Sequence, residues 1–134
     1  MTRDAAFRVL EATIDSIHSA YKAEDVSCRE LVRAYLSRIE AYDKRGPALN
    51  TIQTLNPAAL DEADQLDAQF RGSGPTGPLH CIPVLLKDQV GTTGMPTTFG
   101  SALFKDFVPS ENATVVERLK AAGALILAKN TMSE

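Results

Sequence analysis

The chain has 134 residues, the size of one small domain, with 44% hydrophobic and 23% charged residues and a formal net charge of −3. That mild acidity argues against nucleic acid as the main partner, because Lys44-Arg45, Arg71 and Lys105 are scattered among acids and form no basic stripe. No apolar run reaches the roughly 20 residues that a membrane helix needs, so no membrane segment is expected.

The N-terminal Met1-Thr-Arg-Asp-Ala-Ala-Phe lacks the apolar core of a signal peptide. Phe7, Leu10, Ile14, Ile17 and Tyr21 then recur at three- and four-residue spacings, which predicts an amphipathic helix. His18 lies close to that stripe and reads as structural. Ser27-Cys-Arg-Glu30 fits a capping box, and Leu31, Ala34, Tyr35, Ile39 and Tyr42 continue an apolar face until Gly46-Pro47 stops the helix. Asn50-Thr-Ile-Gln-Thr-Leu55 alternates as a short strand does. Asn56-Pro57 reads as an N-cap with proline at the first helical position, and the third helix is predicted to run to about Phe70. The glycines and prolines of residues 71–78 make a loop.

The centre of interest is Gly77-Pro-Leu-His-Cys-Ile-Pro-Val-Leu-Leu-Lys-Asp88. Ile82 to Leu86 reads as a buried strand that drives into Lys87-Asp88, and the flexible polar segment Gly91–Ser101 follows at once. Charged groups at the end of a buried strand, beside such a loop, are where α/β enzymes place their chemistry. Strand alternation sets Pro83, Leu85 and Lys87 on one face and Val84, Leu86 and Asp88 on the other. Asp88 is therefore assigned a structural role, hydrogen bonding the following loop. Periodicity alone favours a Lys87 that snorkels from a strand end to water. Glu117 and Lys120, one turn apart, read as an exposed ion pair of small worth.

Pro109-Ser-Glu-Asn112 opens another helix, faced by Val115, Val116, Leu119 and Ala122 and closed by Gly123. Ala124 to Lys129 is a second apolar strand, so strand, helix, strand implies a parallel pair with a right-handed crossover. Strands this apolar need cover on both faces, and a small sheet with open edges invites association as a homo-oligomer. More sheet is expected to belong to this protein. Cys28 and Cys81 lie far apart and form no ligand pair, which argues against a disulfide scaffold and for a reducing, cytoplasmic setting. His18 and His80 have no cysteine or histidine at ligand spacing, so no metal site is expected.

The segments Gly77 to Asp88, Thr93-Gly-Met-Pro-Thr-Thr-Phe-Gly-Ser101, Ala113 to Lys129 and Met132-Ser-Glu134 resemble the amidase signature family, in the family's order. The match begins in the capped helix Ser27 to Tyr42, and its flavour is similar to that of fungal and bacterial amidases. The resemblance implies an α/β class, the N-terminal part of a helix-covered mixed-sheet fold. Residues 1–134 would be an N-terminal fragment of a single amidase domain, with 1–47 a helical lead-in and 48–134 the start of the α/β core. It implies hydrolysis of a small-molecule amide by a Ser–cis-Ser–Lys triad with no metal and no cofactor. Lys87 would be the general base, with both serines further along the polypeptide. Ser101 and Ser133 match family positions other than the catalytic serines. Met95 and Thr97, in the cleft loop, would be substrate-binding.

One departure stands out: the family's common Gly-Ile-Pro is Cys81-Ile-Pro here. Glycine takes backbone angles that cysteine tolerates poorly, so the change bears on the turn before the strand. A Cys81 nucleophile is disfavoured, because no convincing base accompanies it. The chemistry implied for Lys87 needs a neutral amine, and burial must depress its free pKa of about 10.4. Two other readings stay open: a non-catalytic truncated relative serving as a binding or assembly module, and the amidase subunit of a glutamyl-tRNA amidotransferase.

Overall fold

The computed structural model describes residues 7–132. Among the described residues four α-helices, α1 (Ile14–Lys22), α2 (Cys28–Arg38), α3 (Ala59–Ser73) and α4 (Thr114–Ala121), accompany three strands, β1 (Ile52–Leu55), β2 (Pro83–Lys87) and β3 (Leu125–Asn130). The strand order is β1-β3-β2, with β3 antiparallel to β1 and parallel to β2. The architecture is a mixed-sheet α/β fold, and α4 lies in the connection between the parallel pair, as the order of elements predicts.

Local chemistry fixes the helix ends. The Ser27 hydroxyl accepts from the Glu30 N–H at 3.1 Å and the Glu30 carboxylate accepts from the Ser27 N–H at 2.8 Å, the expected capping box. Helix α1 is shorter than its apolar spacing suggests. Thr13 and Ser16 form a second reciprocal cap, so the helix starts at Ile14, and Phe7 packs on the core from outside it. Helix α2 widens into a π-helical segment, Ile39–Lys44, before Gly46 turns the chain in left-handed backbone. Asn56 does not cap α3 directly. Its Oδ1 accepts from the Ala58 N–H at 3.0 Å and its Nδ2 donates to the Ile126 carbonyl at 2.8 Å, tying the turn to β3 instead. Asn112 likewise leaves α4 to start at Thr114. It accepts from the Thr93 N–H and donates to Glu117 Oε1, which occupies the carboxylate expected to pair with Lys120.

The core has two parts, one on each side of the sheet. Ile17, Tyr21, Leu31, Val32, Ile52 and Leu125 belong to the larger, beneath α1 to α3. Leu86, Met95, Val116 and Ile126 form the smaller, beneath α4 and the loop after β2. Each fully buried Leu or Val contributes about 1.5–3 kcal/mol.

The cysteines correct the reading of two unpaired thiols. Cys28, the first residue of α2, and Cys81, in the turn before β2, are both buried and form a disulfide with Cα atoms 5.8 Å apart. Sequence separation hid the pair. Packing α2 across the entry to β2 brings the two together.

Candidate active site at the end of strand β2

The site is built around the turn into β2. Gly77 approaches the α4–β3 connection so closely that a Cβ there would lie 2.6 Å from the Ala122 carbonyl oxygen. Gly123 has φ +94°, and a Cβ on it would lie 2.9 Å from His80 Cα. The Leu79 N–H donates to the Ala122 carbonyl and the Cys81 N–H to the Gly123 carbonyl, each at 2.9 Å. Two glycines thus let two turns dock backbone to backbone. Cys81 itself has φ +43°, a left-handed backbone that costs a non-glycine residue about 1–2 kcal/mol. The disulfide and the Tyr21 hydroxyl, which donates to the Cys81 carbonyl at 2.8 Å, hold it there. His18 Nε2 lies 2.9 Å from the His80 carbonyl oxygen, which bears out its structural reading.

Beyond this turn, β2 alternates as expected, with Leu85 and Lys87 exposed and Leu86 and Asp88 buried, but it is not the buried strand that its apolar run suggested, because only one of its faces is covered. Lys87 Nζ donates to the Thr131 carbonyl at 3.2 Å and otherwise projects from an open face. On that face Pro83 and Leu85 help line a hollow of about 400 Å³ with Tyr35, Tyr42, Leu49 and Leu127. Opposite Lys87 in register stands Asn130, whose Oδ1 is buried and has no hydrogen-bond partner among the described residues.

Asp88 is fully buried, and its carboxylate accepts from the Thr98 hydroxyl (2.6 Å), the Thr98 N–H (3.2 Å) and the Gly100 N–H (3.2 Å). It holds the following loop, as the sequence indicates. Burial pushes its pKa up, but the Thr98 and Gly100 donors and the charge of Lys129 outweigh that, leaving it below the ordinary carboxylate value.

The same loop contains Met95 and Thr97. Both are buried, Met95 against Leu86, Val116 and Ile126 on the face of β2 opposite Lys87. The Thr97 hydroxyl accepts from Lys129 Nζ at 2.6 Å, and the Thr97 N–H donates to the Phe107 carbonyl at 2.8 Å. The side chains of Met95 and Thr97 are therefore not gathered around the Lys87 amine. Ser133 lies outside the described residues.

Lys129 is the group that sequence reasoning missed. It is fully buried at the end of β3, with Nζ also donating to the Pro96 carbonyl at 3.1 Å. Burial lowers the pKa of its ammonium, and Asp88 partly restores it. A bulge accounts for its direction. Val84 pairs with Ile126 but Leu85 with Ala128, so Leu127 is an extra residue in β3. Leu127 and Ala128 consequently both join the larger core, and Lys129 turns to the loop side with Ile126. The one legible signal was an apolar run ending in lysine, the same pattern that marks Lys87.

Residues 30–134 match the family model described as Amidase. A glutamyl-tRNA(Gln) amidotransferase subunit from Maridesulfovibrio salexigens is 35% identical over 126 residues, covering 94% of this chain and 25% of that protein. The native peptide amidase of Stenotrophomonas maltophilia superposes with a TM-score of 0.89 at 40% identity, over 92% of this chain and 25% of its own. An amidase family protein from Bacillus anthracis gives a TM-score of 0.88 at 39% identity, over 94% of this chain and 25% of its own. The chain thus spans about a quarter of the length of the relatives it matches. With its strand-end lysine, its glycine-docked turn and its loop all lying within the matched span, the chain belongs to the amidase family.

Proposed function

We propose that residues 1–134 are the N-terminal part of one amidase domain, 1–47 its helical lead-in and 48–134 the start of its core. The whole protein hydrolyses a carboxamide through a Ser–cis-Ser–Lys triad, with Lys87 as general base and both serines supplied from outside these residues. The observation that carries this reading is Lys87 itself. An amine stands at the carboxyl end of a parallel strand, on an open face, inside the span that matches the family.

The chemistry follows from that placement. Amide carbonyls are poor electrophiles, so the attacking serine must lose a proton and the leaving nitrogen must gain one. A lysine that is neutral in the whole domain performs both transfers through a bridging serine. The rest of the domain supplies the burial that this requires. The Asn130 Oδ1, without a partner among the described residues, and the exposed Tyr42, Leu49, Leu85 and Phe99 support a further layer of protein over these faces. Met95 and Thr97 belong to the substrate-facing loop and meet the substrate through backbone, since their side chains are committed to packing and to Lys129.

The test is an amidase assay on the full-length protein beside this 134-residue chain. Turnover by the long form alone is expected. Equal turnover by the short chain would overturn the division of the triad. A second reading, an ammonia-delivering component of a larger complex, draws on the amidotransferase relatives. Hydrolysis of a peptide amide without any partner protein favours the free amidase, whereas activity only in a reconstituted complex favours the second reading. The compartment is tested by the disulfide. Cytoplasm would keep Cys28 and Cys81 as thiols and an oxidising compartment would keep them bonded. Alkylation and mass spectrometry of protein taken directly from its cells tells which.

A further inference from the structure

We propose that Lys129 is a positioning residue for this hydrolysis, fixing the loop 95–100 beside the strand end that carries Lys87 through the Thr97 hydroxyl and the Pro96 carbonyl. The proposal rests on the amidase reading above and adds a second, non-catalytic lysine to it.

A fully buried lysine is rare unless paired, and this one is reached only because β3 inserts Leu127 and re-aims the next side chains. Without the bulge, Lys129 would lie with Leu125 and Leu127 under the helices, where its ammonium would meet apolar side chains. With it, Nζ grips adjacent loop residues at 3.1 and 2.6 Å. Asp88 takes the same loop further along, through Thr98 and Gly100. The two opposite charges therefore clamp a continuous stretch from Pro96 to Gly100. Asp88, whose carboxylate holds that stretch, is the next residue after Lys87, so the position of the stretch is tied to the strand end that carries the amine. The enclosed Nζ is committed to Pro96 and Thr97 and takes no part in proton transfer. Lys129 acts through Thr97.

The experiment measures the rate at which a fluorophosphonate probe labels the nucleophilic serine of the full-length protein, because that rate reports serine activation without knowledge of the substrate. Thr97→Val keeps the side-chain shape and removes the hydroxyl, and is expected to slow labelling about ten- to a hundredfold with little change in Tm. Thr97→Ser, which keeps the hydroxyl, is expected to restore the rate. Lys129→Met combined with Asp88→Asn removes both charges together and is expected to be as slow as Thr97→Val or slower. If folded Thr97→Val labels at the wild-type rate, the proposal is overturned, whether or not the double variant folds. Lys87→Ala separates the two readings. Wild-type labelling in that variant removes the amidase mechanism, whereas lost labelling there beside normal rates at positions 97 and 129 removes only the role of Lys129.

Discussion

Strands β2 and β3 each carry an apolar run into a lysine, Leu86-Lys87 in one and Ala128-Lys129 in the other, yet the two amines meet opposite environments. Lys87 stands on an open face with a backbone carbonyl as its partner. Lys129, paired in register with Leu86, is enclosed by a loop, a hydroxyl and a carboxylate. The difference comes from one inserted residue in β3 and from which side of the sheet the loop covers. It teaches that a strand-end lysine is a candidate for chemistry only when its face is free to receive another group. An enclosed lysine is spent on structure.

The comparison breaks most directly at Lys87. In the full-length protein Lys87→Ala is expected to lower amide hydrolysis by about 10²–10⁴-fold, read as kcat/KM. In the present chain the same change should move stability by only about 0.5 kcal/mol either way, as at other exposed sites. A large loss of stability from it would show that Lys87, too, is a structural group.

At Lys129 the opposite outcome is expected. Lys129→Ala leaves the Pro96 carbonyl and the buried Thr97 hydroxyl without their shared donor, which should cost about 1–3 kcal/mol for each group in urea unfolding. Asp88→Asn keeps the shape and should cost less. Equal stability of Lys129→Ala and wild type would dissolve the contrast between the two strand ends.

The turn that aims β2 offers a smaller effect. Reducing the Cys28–Cys81 bond, which spans a sequence separation of 53, should lower stability by about 2–4 kcal/mol. Cys81→Gly loses the bond but relaxes the left-handed turn, so it should cost less than Cys28→Ser, by about 1 kcal/mol. The measurement is thermal unfolding with and without reductant.

The smallest effect is in the pH dependence. Asp88 and Asp43 both have folded pKa values below the ordinary 3.8, Asp43 at about 2 through the Thr51 hydroxyl and N–H and neighbouring donors. A depressed carboxylate contributes stability that is present above its unfolded pKa and is lost as pH falls through the folded one. Stability should therefore decline from about pH 4 downward, and Asp88→Asn should make that decline shallower. Lys129 works at the other end. Its folded pKa lies below its unfolded value, so its contribution grows as pH rises between the two. Titrating urea midpoints against pH reads both limbs.

How much was legible follows from the range over which each interaction acts. The capping box at Ser27, the stripe through Ile17 and Tyr21, the alternation of β2 and the anchoring role of Asp88 are set within a few residues, and each was readable in order along the chain. The family resemblance rested on the same contiguous segments and the matched span agrees with it. One local feature failed too: a Thr13–Ser16 cap overrides the apolar spacing at the start of α1. The other misses were non-local. Asn56 gave its amide to β3 rather than to its own helix.

The sequence by itself determined that Lys87 ends a strand and that helices and strands follow one another as in an α/β layer, because side-chain period and turn chemistry are local properties. Only the tertiary structure decided that Cys28 meets Cys81, that Met95 and Thr97 turn inward, and that Lys129 rather than Lys87 is enclosed. Those outcomes depend on how distant elements pack and, for Lys129, on the register between strands. One extra residue in β3 reverses which face a side chain sees, and no spacing along a single strand reveals what its partner will skip.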